Sequence, residues 1–120
     1  MTFDFKGEKH LFEGATKKEI LSFEKEHNIK LPEKYKEFLQ FSDGGELYLP
    51  AGVQFFGVKH TPLIKTGEFI IIGKFAWGDV VLYENEKIQI LNHETGEIEE
   101  TFEDFKVFLD SLPEFLGVAE

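Results

Sequence analysis

Apolar residues recur with a helical period in the first third of the chain. Thr16 and Glu19 have the spacing of a capping box, in which each side chain bonds a backbone N–H at the start of a helix. This spacing predicts a helix over 17–27, and Asn28 is a suitable end because it tolerates the left-handed conformation. The expected apolar face consists of Ile20, Leu21 and Phe23.

A second helical pattern follows at once and stops at a pair of glycines. Pro32 fits the first helical position, because its missing N–H would have no partner there. The apolar residues of this helix share one face, which is expected to pack on the first helix, and they are Tyr35, Phe38 and Leu39. The helix should end at Ser42, where Asp43, Gly44 and Gly45 let the backbone adopt positive φ and reverse the chain. A phosphate-binding loop needs strand, glycines and helix in the opposite order, so we interpret these glycines as structural.

A two-residue alternation then replaces the helical period, which is typical of strands. Leu47 and Leu49 alternate with Glu46 and Tyr48, so Glu46 and Tyr48 are expected to share the exposed face of their strand. The stretch 68–75 is apolar enough to be a central strand. Further strands are predicted over 53–58, 79–84, 87–91 and 97–100, with a hairpin turn at 85–86.

An apolar helix is predicted to complete the domain. Thr101 and Asp104 have the capping spacing, and Pro113 closes the apolar stretch. The apolar face comprises Phe102, Phe105, Phe108, Leu109 and Leu112. This order predicts a single α+β domain over 1–120 with its core at about 16–112. It would contain two N-terminal helices, an antiparallel meander sheet of about five or six strands, and a C-terminal helix packed on the sheet.

Charge and composition exclude several classes of partner. The chain has 23 acidic and 13 basic residues, all of the latter lysine, and a formal net charge of -10. Such a surface repels phosphate backbones, so no nucleic-acid partner is expected. The sequence has no long uncharged apolar run and no signal-peptide pattern, which predicts a cytoplasmic protein without a membrane partner. The same charge would attract a basic protein, although an acidic surface also serves simply to keep a protein soluble.

The sequence offers little for catalysis or for metal binding. Cysteine is absent, and the three serines lie in helical contexts without a nucleophile elbow. The four histidines lack paired ligand spacing, and the HETGE segment is more simply a turn than a metal site. These histidines are His10, His27, His60 and His93. We therefore predict no catalytic residue, no metal and no cofactor.

Taken in order, the motifs resemble those of the SUKH superfamily, the Smi/Knr-type domain. They are LP-x-x-Y-x-x-FL, SDGG, an aromatic strand pair, IGKFAWGD, a hairpin, NHETGE and TFEDFKVFL, and they extend from about Thr16 to Leu112. The family commonly has Asn before the paired glycines where this chain has Asp43, which changes a turn residue and not the architecture.

The resemblance implies a binding protein and not an enzyme. Bacterial members of the superfamily are mostly immunity proteins, which bind and neutralise a cognate polymorphic toxin, whereas fungal relatives regulate cell-wall synthesis and carry long flanking segments. Because the flanks here are short, we expect the bacterial branch and a toxin as partner. A nuclease toxin would be basic and would suit the acidic surface. The alternative is an intracellular regulatory or scaffold module that binds a host protein or a small ligand.

Seven residues are candidates for contact with the partner, and they are Glu46, Tyr48, Trp77, Asp79, Tyr83, Glu84 and Glu86. An aromatic side chain beside a carboxylate, as at Trp77 and Asp79, is typical of interface anchors. Structural roles are the alternative, with Trp77 covering the core and Asp79 bonding turn amides. At the hairpin tip, Tyr83, Glu84 and Glu86 could extend the patch of Glu46 and Tyr48 if their strand lies nearby.

A second acidic stretch runs from Glu97 to Asp104. Acids at a helix start and on a strand edge also have structural explanations, since they interact with the helix dipole and discourage aggregation through the edge. The sequence leaves the oligomeric state, the toxin and the source organism open.

Overall fold

The computed structural model describes residue 5 and residues 7–50, 52–59, 63–66 and 69–117. Their elements in chain order are β1 (Glu8–Leu11), α1 (Lys17–His27), α2 (Glu33–Phe41), β2 (Gly45–Leu49), β3 (Val53–Phe55), β4 (Ile64–Thr66), β5 (Phe69–Phe75), β6 (Val80–Glu84), β7 (Lys87–Leu91), β8 (Ile98–Phe102) and α3 (Phe105–Leu116). Among these residues, no helix has the length and apolar character needed to cross a membrane. His60 lies outside the described residues.

The α+β architecture is confirmed, with two helices first, then the sheet, and α3 packed on it. The described residues form eight strands, more than the five or six predicted. The sequence pattern missed β1 and β4, which are only 4 and 3 residues long and carry little of the buried apolar face that makes a strand visible in sequence.

The sheet is antiparallel and runs in the order β1-β2-β3-β5-β6-β7-β8, with β4 also paired to β5. β5 is therefore central, as predicted. β3 pairs with the end of β5, where Val53 lies opposite Phe75, and β4 pairs with its start, where Ile64 lies opposite Ile71. The strands β3 and β4 thus share one edge of β5, and β6 pairs with the other edge.

The local signals for α1 are confirmed at both ends. Thr16 and Glu19 form the capping box, and Asn28 ends the helix in the left-handed conformation at φ 52°. Ile20 and Phe23 are buried, but the prediction for Leu21 was wrong, because its side chain is 51% exposed. An i, i+3 pair faces the core, and Leu21 lies one position, about 100°, beyond it.

The helix α2 begins one residue later than predicted. Pro32 has an extended conformation, with ψ 139°, and is the N-cap, so it does not occupy the first helical position. The buried face of Tyr35, Phe38 and Leu39 is confirmed. Its rings contact β3 and α3, since Phe38 lies 5.3 Å from Phe55 and 5.6 Å from Phe105 between ring centroids. The face therefore packs on the sheet and the last helix, and the expectation that it packs on α1 misses these main contacts.

The start and end of α3 both differ from the prediction. Asp104, not Thr101, is the N-cap, and its carboxylate accepts a hydrogen bond from the Val107 N–H at 2.9 Å. Thr101 and Phe102 belong to β8. Pro113 lies inside the helix, which continues to Leu116 and ends at Gly117. Packing of Phe115 and Leu116 beyond the proline keeps this last turn helical.

The core lies on one face of the sheet, between the strands and the three helices. The register defines a row across the opposite face, which we call the outer face, and this row is exposed or half-buried. The row consists of His10, Glu46, Gln54, Lys74, Val80, Leu91 and Ile98, each opposite the next. Leu82 lies on the same face and is only 3% exposed, yet it is not part of the core cluster.

Candidate functional site

The seven candidate residues do not form one patch. Trp77 and Asp79 precede β6, whereas Tyr83, Glu84 and Glu86 lie at its far end. The strand is five residues long, so the two groups are separated by roughly 13 Å along it. The hairpin residues also do not extend the patch of Glu46 and Tyr48, because β3 and β5 lie between β2 and β6 and the required neighbouring position is not met.

The indole of Trp77 is anchored on the core and faces solvent. Its ring stacks on Phe75, with 4.6 Å between centroids and 12° between planes, and Phe75 itself is buried. Phe115 of α3 completes the group, 5.5 Å from Phe75 and 6.4 Å from Trp77. Trp77 is 44% exposed and Phe115 is 39% exposed. We call Trp77 and Phe115 the aromatic platform.

Phe115 was missed by sequence reasoning because the final helix was predicted to end at Pro113. Its apolar character was the available signal, since a helix that continues past the proline places residue 115 on the side of the core. In the structure, Phe115 is therefore a neighbour of Trp77, although the two residues are far apart in the sequence.

Asp79 is buried and holds the turn after β7. Its carboxylate accepts hydrogen bonds from the His93 N–H at 3.2 Å and from the His93 ring Nδ1 at 2.6 Å. Burial alone would raise the pKa of Asp79, but the hydrogen bonds from His93 and from Trp77 outweigh it and lower the pKa from 3.8 to about 2. The carboxylate is therefore ionised at neutral pH and can only accept, so the Nδ1 atom carries a hydrogen.

This geometry agrees with the structural alternative for Asp79. A carboxylate behind a histidine also occurs in catalytic triads. Here, however, the His93 Nε2 atom faces the Glu94 carboxylate at 3.9 Å, which is not a hydroxyl or thiol that a base could activate. The pairing of two turns that lie 14 residues apart had no local signal in the sequence.

Glu46 and Tyr48 do not share a face, so that prediction was wrong. Tyr48 has a positive φ of 57°, and Lys9 pairs with Leu47 while Glu8 pairs with Leu49, so Tyr48 sits at a bulge. Its side chain packs against the core cluster. Leu49 lies beside Glu46 instead, in a groove of about 180 Å³ that also includes Gln54, Lys74, Ala76 and Gly78. The groove connects Glu46 with the Trp77 turn.

The hairpin residues border a second groove. Tyr83 and Glu86 line a cleft of about 190 Å³ together with Pro32, Ile88 and Phe105. An ion pair between Lys34 and Asp104, 2.8 Å long, bridges the starts of α2 and α3 in the wall of this cleft. Burial and then the Glu86 charge raise the pKa of the Tyr83 hydroxyl above its usual value of 10.0. Glu84 lies opposite Lys87 across the hairpin.

The acidic stretch from Glu97 to Asp104 consists of two groups, one exposed on the strand β8 and one bonded at the start of α3. Glu97, Glu99 and Glu100 are exposed at and before β8, the last strand in the sheet order. Glu99 accepts a hydrogen bond from the Asn92 amide at 3.3 Å and lies next to Asp79. Toward α3, Glu103 binds Lys87 at 3.1 Å and Asp104 is the N-cap, so these two acids have structural partners.

The residues of the SDGG turn are buried and bonded within the fold. The Asp43 carboxylate accepts hydrogen bonds from the N–H groups of Val58 at 2.7 Å and Lys59 at 2.9 Å, which fastens the α2–β2 joint to the segment after β3. Gly44 and Gly45 have the positive φ predicted for them, at 89° and 134°. The turn is therefore part of the architecture.

Tyr35, from the same motif, is likewise engaged inside the core. Its hydroxyl donates to the carbonyl oxygen of Phe56, and the carbonyl oxygen of Ile72 lies 3.2 Å away. Burial, and secondarily the charge of Asp43, raise the pKa of Tyr35 well above 10.0, so the hydroxyl keeps its hydrogen as a donor. A partner protein cannot reach these groups.

Within the described ranges, no three His, Asp or Glu side chains are grouped so that they could hold a metal ion.

Two helices, an antiparallel sheet and a final helix, joined through the buried SDGG turn, form an α+β domain of the kind that the sequence resemblance indicated. The model of the SMI1 / KNR4 family (SUKH-1) matches residues 14–111. The chain therefore belongs to the SMI1/KNR4 family. A search of curated proteins finds no match to the chain.

Proposed function

We propose that this protein is an immunity protein that neutralises a cognate polymorphic toxin by binding it tightly. The observation that carries the proposal is the match to the SUKH-1 family over residues 14–111. As the sequence resemblance implies, bacterial members of this superfamily are mostly immunity proteins. A bacterial source and action in the cytoplasm of the producing cell are parts of the same proposal.

The charge of the chain favours a basic partner. A net charge of -10 attracts a basic protein over long range and raises its association rate. A nuclease toxin fits this requirement, because an enzyme that binds polyanionic substrates carries a basic surface. The tightest nuclease and immunity protein pairs have dissociation constants of about 10⁻¹³ to 10⁻¹⁶ M.

The engagement of the buried polar groups supports binding over catalysis. Ser42, Asp43 and Asp79 are the buried polar residues of the described chain, and each is hydrogen-bonded within the fold. Their bonds hold turns and joints in place. The side chains that remain accessible to a partner include acidic and aromatic ones on the surface.

The dimensions of the grooves favour a protein partner over a small ligand. The two grooves measure about 180 and 190 Å³. Pockets for small molecules are typically about 300 to 1,000 Å³. Each groove is large enough to receive one side chain from a partner surface.

Co-expression with the toxin domain encoded beside this gene tests the proposal. We expect the host cell to survive when both proteins are present and to die when the toxin is expressed alone. Calorimetry at low salt should then detect a one-to-one complex of the purified proteins. Cell death in the presence of both proteins, together with the absence of heat on mixing, would contradict the immunity function.

A further inference from the structure

The aromatic platform is an exposed apolar feature with a fixed shape. Trp77 is held by its stack on buried Phe75, and Phe115 is held by the last turn of α3. Side chains that are already fixed lose little conformational entropy when a partner binds. Tryptophan is also the residue type most enriched at the energetic centres of interfaces.

Carboxylates lie on the turns around Trp77. Asp79 is two residues along the chain from Trp77 and is ionised, and Glu99 bonds the amide of Asn92, the neighbour of the His93 that bonds Asp79. Glu94 is on the neighbouring turn, 3.9 Å from the His93 ring. The face of an indole ring is itself electronegative and attracts cations within about 6 Å of its centre.

We propose that the aromatic platform is the docking surface for a lysine or arginine side chain of a basic protein partner, with Glu99 beside it as counter-charge. The inference rests on the proposed function, since the basic partner is the toxin. The aliphatic part of a long cationic side chain packs on Trp77 and Phe115, and its charged group lies toward the carboxylates. Asp79 keeps its hydrogen bonds to His93, and its negative charge adds to the attraction for the cationic group.

Charge also decides against a second copy of this chain as the occupant. Two molecules that each carry a net charge of -10 repel each other. Pairing two platforms would bring the Glu99 carboxylates of both copies together. A basic surface removes this repulsion and supplies a partner for each carboxylate.

The first test measures binding of the toxin domain encoded beside this gene by variants of the full chain. Trp77→Ala should weaken the complex by about 30-fold or more, the effect that defines an energetic hot spot. Phe115→Ala should weaken it by about 10-fold. Matched controls are Val107→Ala, because Val107 is 41% exposed on the same helix as Phe115, and Leu21→Ala on α1. Thermal unfolding of each variant shows that it is folded.

A second test needs no toxin, because Trp77 is the single tryptophan of the chain and its fluorescence reports on the platform alone. We expect a tetra-arginine peptide to change this fluorescence in a saturable manner, and a tetra-glutamate peptide to have no effect. Glu99→Gln should weaken the peptide response several-fold. Glu26→Gln on α1 removes the same charge elsewhere and should leave the response unchanged.

The outcomes separate the two proposals. If the toxin binds the wild type and the Trp77 and Phe115 variants equally well, the docking surface is wrong and the immunity function stands. If the toxin does not bind the wild type, the immunity function fails. The fluorescence response to the tetra-arginine peptide then tests the docking surface by itself. An unchanged fluorescence with tetra-arginine would then overturn it, as would a self-association of the wild type that Trp77→Ala abolishes.

Discussion

At the scale of single residues, the carboxylate of Asp79 lies close to a tryptophan in sequence, but it is used in hydrogen bonds to His93 within the fold. The alternative that Asp79 bonds turn amides describes the structure, because His93 donates from both its backbone and its ring. The sequence did not indicate that His93 is the donor. Residues 79 and 93 come together only because β6 and β7 pair as a hairpin.

Replacing Asp79 should make this contribution visible as a function of pH. The pKa of Asp79 is about 2 in the folded protein, below the usual 3.8, so the carboxylate stabilises the fold above pH 3.8 and loses that effect as the pH falls toward 2. Asp79→Asn should lower the free energy of unfolding at pH 7 by about 1 to 2 kcal/mol, a value reduced for screening by nearby solvent. Urea unfolding at pH 7 and at about pH 2 measures the difference.

The matched control is Asp110→Asn. Asp110 is exposed and bonds Lys106 at 2.6 Å one helical turn away, a pair that contributes less than about 0.5 kcal/mol. A loss of stability for Asp79→Asn that is the same at both pH values would show that its ionisation is not the cause.

At the scale of elements, the joint between α2 and β2 depends on the absence of a side chain. Gly44 has a φ of 89°, and a Cβ atom there would lie 2.6 Å from the Phe55 carbonyl oxygen of β3. The joint therefore requires glycine both for its backbone conformation and for the close approach of the neighbouring strand.

Two alanine substitutions separate these requirements. Gly96 also has a positive φ, of 76°, but a Cβ atom there would meet nothing within 4 Å. Gly96→Ala should cost about 1 to 2 kcal/mol of stability from the left-handed conformation alone. Gly44→Ala should cost at least about 2 kcal/mol more, because a strand must also shift. Chemical denaturation compares the two, and equal losses would refute the close-approach explanation.

Elements were predictable from the sequence where their signals are local. The capping box at Thr16 and Glu19 and the end of α1 at Asn28 depend on contacts within one helical turn, and all are confirmed. The bulge at Tyr48 and the continuation of α3 through Pro113 depend on packing against distant parts of the chain. This is why the face of β2 and the end of the last helix were wrong, and why Phe115 was missed.

At the scale of the whole molecule, the net charge of -10 should govern how fast a partner arrives. If the partner is a basic toxin, we expect its association rate constant to fall about 10-fold or more between low salt and 0.5 M NaCl, because the Debye length shrinks below the separation of the surfaces. Dissociation should change much less. Stopped-flow mixing, followed by the fluorescence of Trp77, gives both rates. An association rate that is insensitive to salt would rule out long-range attraction.

The burial of the SDGG turn and of the Tyr35 face has a consequence for the freedom of the surface to change. The groups that hold the architecture together are inside, and exposed substitutions typically alter stability by no more than about 0.5 kcal/mol. The exterior of this domain can therefore be rewritten, by evolution or by an engineer, while the interior stays as it is. A domain built in this way is a scaffold that can be retargeted, and a change of specificity need not require a change of fold.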